Sequence, residues 1–232
     1  MCFSATASFG AGAALAVISY ATVRKVQSYQ QLVFASIPLI FCIQQISEGF
    51  LWLALSDPAY APLKYITMYI FLIFAQIVWP TWIPLSIYIL EKNSKKKKIL
   101  RLFVGIGSLV SLYLAYCMIA NPVDAKIVGY HVSYIQDYPL AFQFSGGLLY
   151  IVATILPPFV SSIKKMKILG AAILISYCIT RLFYEDYIIS VWCFFATVIS
   201  LVVLAIMYEV KKIKVESRSR VVGGMQFLVN QK

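Results

Sequence analysis

The chain has 232 residues, 61% of them hydrophobic and 12% charged, with a mean hydropathy of +0.83. Soluble domains carry about 25% charged residues, and apolar runs long enough to cross roughly 30 Å of hydrocarbon recur along the whole sequence; a soluble fold is excluded. The net charge of +11 does not signal nucleic acid, because the basic residues cluster between apolar runs, the pattern of cytoplasmic loops.

The first apolar run, residues 4–22, follows no basic segment, and its first positive charges, Arg24 and Lys25, come after it. A cleaved signal peptide has the opposite order, so the run reads as a retained helix entering with its N-terminus outward. Ser4, Ser8 and Gly12 recur every four residues along it, a small-residue stripe suited to close helix contact. The second helix is predicted over 31–55 and the third over 64–90, where Pro80 and Pro84 should kink it and free backbone carbonyls. A fourth is predicted over 99–120. The stretch 121–139 is expected to lie over the bundle as an aromatic lid, with Tyr130 and Tyr134 spaced to share a helical face. Three more helices follow, over 140–162, 166–184 and 188–209.

Charge assigns the sides. Seventeen of the 20 Lys and Arg follow the first, third, fifth and seventh runs: Arg24, Lys25; Lys92, Lys95, Lys96, Lys97, Lys98, Arg101; Lys164, Lys165, Lys167; and six in the tail. Asp57, Asp124, Asp137, Glu185 and Asp186 fall in the opposite loops. The predicted fold is therefore all-α, a polytopic seven-transmembrane-helix bundle with its N-terminus outside and its C-terminus cytoplasmic. Residues 1–210 form the membrane domain and 211–232 a basic cytoplasmic tail. The expected partners are the lipid bilayer and, at the basic face, anionic lipid headgroups.

Glu48 is the acid deep within a predicted span, in FCIQQISEGFLW. Gln44, Glu48 and Trp52 share one helical face, with Gln45 beside them. A carboxyl group in hydrocarbon is costly and should face the bundle with a partner or a proton. It reads either as a proton, cation or ligand site, or as a hydrogen-bonded network joining helices. Arg181 is the natural counter-charge, unless it reaches to the surface instead. Gln143, Arg181, Cys193 and the single histidine, His131, fall toward the same side, and the combined expectation is an outward-opening polar pocket under a lid. One histidine excludes bis-His haem and multi-His zinc sites. A soft-metal trio of Cys2, Cys193 and His131 has no motif behind it, and neither does a disulfide between Cys117 and Cys193; the sequence names no metal and no cofactor.

MCFSATASF at the N-terminus, QQISEGFLW, WPTWIP and SVWCFFA resemble an uncharacterised family of bacterial multispanning membrane proteins whose chains begin with that nonapeptide. The resemblance runs along essentially the full chain and implies a seven-helix protein of the bacterial inner membrane, with no established activity to carry over. Three functions stay open: binding or transport of a small molecule or ion around Glu48; an enzyme acting on a lipid or quinone-like substrate; and a sensor or assembly factor.

Overall fold

The computed structural model describes residues 4–136, 138 and 140–210, apart from the side chains of 140–146, 186 and 194. The described chain is mostly helical, with one two-stranded sheet. Six of its helical stretches are long and apolar enough to cross a membrane: Ala5–Val23, Tyr29–Ser56, Pro58–Leu90, Ser94–Ala120, Met166–Phe183 and Ile188–Val210. A shorter apolar helix spans Gly147–Val160.

Helix α1 (Ala5–Val23) opens on Ser4, whose hydroxyl accepts from the Ala7 amide at 3.2 Å. The second predicted helix is two: α2 (Tyr29–Ala35) and α3 (Ile37–Ser56), parted at Ser36. Pro38 has no N–H to return to the turn before it. The Val33 carbonyl at the break takes hydrogen bonds from Ser36 Oγ at 2.8 Å and from Trp82 Nε1 at 3.2 Å. The third predicted helix is composite in the same way. A 3-10 segment (Pro58–Leu63) leads into α4 (Lys64–Leu72), a π-helical segment (Ile73–Val78) and α5 (Trp79–Leu90). The π segment ends against Pro80, whose missing donor leaves the backbone ladder one hydrogen bond short, as the prolines predicted. Neighbouring side chains supply donors: Tyr150 O–H to the Ala75 carbonyl and Ser111 O–H to that of Ile77, each at 2.6 Å.

Helix α6 (Ser94–Ala120) starts five residues before the predicted 99, because Asn93 caps it by accepting from the amides of Lys95 and Lys96. The lysine run thus forms its first turn. Just before it, buried Glu91 accepts from the amides of Lys92, Asn93 and Ser162 and from Ser161 Oγ, at 2.6–3.2 Å. Burial works to raise the pKa of this carboxyl, but the hydrogen bonds from Asn93, Ser162 and Ser161 outweigh it and hold it below the ordinary range.

The lid expected to show a helical face is a β-hairpin: β1 (Val123–Val128) antiparallel to β2 (His131–Gln136), with Val128 opposite His131. Val, Ile and Tyr alternate there with polar residues, which favours a pleated, half-buried strand. Gly129, at a φ of 61°, supplies the left-handed residue that a two-residue turn needs. Val123, Ala125 and Val132 are buried against α4, and Tyr134 stacks on Phe71 with ring centroids 5.0 Å apart. Lys64 and Asp124 close the same contact with an ion pair at 2.6 Å.

The remaining helices are α7 (Leu140–Ile155), α8 (Pro157–Val160), α9 (Met166–Phe183), a 3-10 turn (Glu185–Tyr187), α10 (Ile188–Phe194) and α11 (196–210). Pro157 and Pro158 separate α7 from α8, and the chain between α10 and α11 turns at Phe195.

The tightest helix contact lies where α6 crosses α5. A Cβ at Gly107 would sit 1.8 Å from the Pro80 carbonyl oxygen, itself freed because Pro84 has no N–H. Only glycine admits that approach. Gly107→Ala should lower the melting temperature of the detergent-solubilised protein by an overpacking penalty of about 1–3 kcal/mol or more. Gly105→Ala, with nothing within 4 Å of the new carbon, should be neutral or slightly stabilising.

Candidate functional site

Between the π segment, α5, α6, α7, α9 and α10 lies a cavity of about 640 Å³. Tyr150 crosses it from α7, its hydroxyl donating to the Ala75 carbonyl of the π segment at 2.6 Å. Its wall is mainly apolar, with Ile83, Val110, Leu114, Ile151 and Ile173 among its side chains. Trp192 stands in it with Tyr150 and Tyr177 edge-on at 5.9 and 5.3 Å, and its indole N–H donates to Ser176 Oγ at 3.0 Å.

Polar groups gather toward the hairpin end. Gln76 and Gln136 exchange two amide hydrogen bonds, at 2.7 and 3.1 Å, and the Tyr138 hydroxyl bridges them, 3.0 Å from Gln76 Oε1 and 2.9 Å from Gln136 Nε2. Burial pushes the Tyr138 phenol up, so it stays a neutral donor. The hairpin is thereby latched to the π segment at the cavity's end. Arg181 lines the same end and pairs with Glu185 on its own side of the bundle. Such a pair at the surface contributes little to stability and is easily exchanged.

The predicted site residues divide into groups. Arg181 and Cys193 line the cavity. Gln44, fully buried, stands behind the wall and holds two of its members: its Nε2 donates to Cys193 Sγ and its Oε1 accepts from Trp79 Nε1, both at 2.9 Å. Glu48 is fully buried one turn further along α3, where Ser190 Oγ donates to its Oε1 at 2.6 Å. Gln44–Cys193 and Glu48–Ser190 are therefore two successive rungs between α3 and α10. Arg181, expected as the counter-charge of Glu48, pairs with Glu185 instead. Gln45 and Trp52 are buried on α3 and do not line the cavity. His131 sits in the hairpin against the α9–α10 turn, stacked on Tyr187 at 4.5 Å and edge-on to Tyr184 at 5.4 Å. Burial lowers its pKa, so the imidazole is neutral at pH 7.

The side chain of Gln143 and all of Cys2 lie outside the described residues. Cys117 and Cys193 are both free thiols, so the disulfide considered between them is not formed. Among the described residues, no cluster of three His, Cys, Asp or Glu side chains is placed to hold a metal ion.

Sequence reasoning did not single out Ser190 and Tyr150, and it read Gln76 and Tyr138 only as parts of longer stretches. Each donates or accepts across helices distant in sequence, and a lone Ser or Tyr in an apolar run carries no spacing signal. The carbonyl left short before Pro80 was the one available clue: it requires a donor from a neighbouring helix, which here is Tyr150 or Ser111.

A family model matches residues 1–219, and the chain belongs to that family: DUF6629, a family of unknown function. No curated protein and no solved structure matches the chain.

Proposed function

We propose that this member of the family binds a small, mainly apolar molecule with one polar end in the cavity between α5, α6, α7, α9 and α10, and holds or carries it within the membrane. The carrying observation is the cavity: its volume of about 640 Å³ falls within the roughly 300–1,000 Å³ of small-molecule sites, and like them it is apolar with a few convergent polar groups. Gln76, Gln136 and Tyr138 offer neutral donors and acceptors to the polar end. Arg181 offers a positive charge, at the small cost of exchanging Glu185. The polar pocket expected around Glu48 becomes, in this reading, the support behind the wall: the two rungs hold α10 against α3 and fix Cys193 and Trp192 at the cavity's edge.

The topology that goes with this reading is seven spans, α7 with α8 being the shortest, and a cytoplasmic C-terminus. The basic loops would then lie against anionic headgroups. A green fluorescent protein fused to the C-terminus should fluoresce in bacteria, where the same fusion exported across the membrane stays dark; a dark fusion would overturn the orientation.

Occupancy has its own test. A Cβ at Gly147, which lines the cavity, meets nothing within 4 Å, so a large side chain enters without a backbone clash. Protein purified in mild detergent should release a stoichiometric apolar compound on solvent extraction and mass spectrometry. Gly147→Phe should fold equally well and lose at least ten-fold of it. Equal recovery from both proteins would contradict the proposal.

A further inference from the structure

The seam between α1 and α3, on the far side of Glu48 from the cavity, carries a second polar cluster. Gln45, Glu48 and Trp52 fall at i, i+3 and i+7 of α3 and so share one face. Helix α1 packs antiparallel on α3. A Cβ at Gly12 would lie 2.9 Å from Ile46 and 3.8 Å from the Cys42 carbonyl, and Phe9 lies over Gly49 and edge-on to Phe50. Ser8, one turn from Gly12 toward the N-terminus of α1, is therefore brought level with Gln45 and Gly49. All three uncharged members are inside the protein: Ser8 and Gln45 are each 1% exposed and Trp52 6%. Among the described residues, Ser8 Oγ, both polar atoms of the Gln45 amide and Trp52 Nε1 have no hydrogen-bond partner.

Four such atoms along two turns of one seam in an apolar bundle are expensive, because lipid gives them nothing to bond. The chemistry of the set selects what can satisfy it. The Trp52 indole and the Gln45 NH₂ can only donate; the Gln45 carbonyl can only accept; the Ser8 hydroxyl does either. A metal cation would satisfy the acceptors and leave the indole and amide N–H groups unmet. An anion would satisfy the donors but lie beside the Glu48 carboxyl. Water satisfies both kinds at once, and a buried water makes about three hydrogen bonds to groups of this type.

We propose that the α1–α3 seam is an internal water site, with one or more water molecules bound by Gln45, Ser8 and Trp52 next to Glu48. Bound water there hydrates the side of Glu48 turned away from the cavity and makes its carboxyl able to exchange a proton while sealed from lipid. The site is independent of what the cavity binds.

The test uses the full-length protein, isotopically labelled in its tryptophan indoles, in detergent micelles. Its four tryptophans give four indole N–H signals, and a Trp52→Phe variant identifies the one in question. Magnetisation transfer from water to the Trp52 indole proton should be seen in the wild type and lost in Gln45→Leu. Its absence from the wild type would overturn the proposal, whether or not the variant folds. Thermal melting gives an independent reading. If the seam is dry, Gln45→Leu removes an unsatisfied amide and the melting temperature stays the same or rises, which counts against the proposal. If water bridges the seam, Gln45→Leu breaks the network and the melting temperature falls by several degrees.

Discussion

Pro80 has no N–H to give, and in a chain surrounded by hydrocarbon the carbonyl it leaves short has no solvent to turn to. Much of the bundle's arrangement follows from how that deficit is met. The helix shifts into a π segment over Ile73–Val78, and other helices lend donors: Tyr150 from α7 to Ala75, Ser111 from α6 to Ile77. The next freed carbonyl, that of Pro80 itself, faces Gly107, where no side chain intervenes. One broken hydrogen-bond ladder thus fixes three helices relative to one another. Tyr150 makes its bond with a long side chain that also lines the cavity, so the same residue ties α7 to the π segment and shapes the cavity's wall.

The opposite wall is set by buried side chains rather than backbone. Gln44 uses both ends of its amide, one on Trp79 and one on Cys193, so a single residue of α3 positions α5 and α10 together. Glu48 repeats the link one turn away through Ser190. Networks of this kind in a low-dielectric interior are stable when every group is satisfied. They also give the interior a direction, since the hydrogen-bonded rungs lie between α3 and α10 and the apolar wall lies beyond them.

Much of this was legible from residue type and period. The apolar runs placed the long helices, and the ends differ from expectation mainly where a capping residue such as Asn93 captures extra turns or where Pro38 divides a run in two. The proline pair announced freed carbonyls. Glu48 and Gln44 were correctly read as facing the protein interior, because their cost in lipid leaves no alternative. The hairpin was missed because Tyr130 and Tyr134 match helical and extended spacings equally well, and Gly129 was the overlooked marker of a tight turn. Arg181 was assigned to Glu48 on charge alone, yet Glu185, four residues along the same chain, is an easier partner to reach. Ser190 and Tyr150 carry no signal of their own. Their roles arise from which helices become neighbours, and neighbour identity is what composition and period leave open.

The most direct measurement is an electron cryo-microscopy structure of the protein in lipid nanodiscs at a resolution that shows side chains. The account predicts non-protein density in the cavity between Trp192, Leu114 and Ile151, with its polar end toward Gln136 and Tyr138 and the Tyr150–Ala75 bridge intact. A cavity closed by side-chain packing, with no space between Trp192, Leu114 and Ile151, would contradict it.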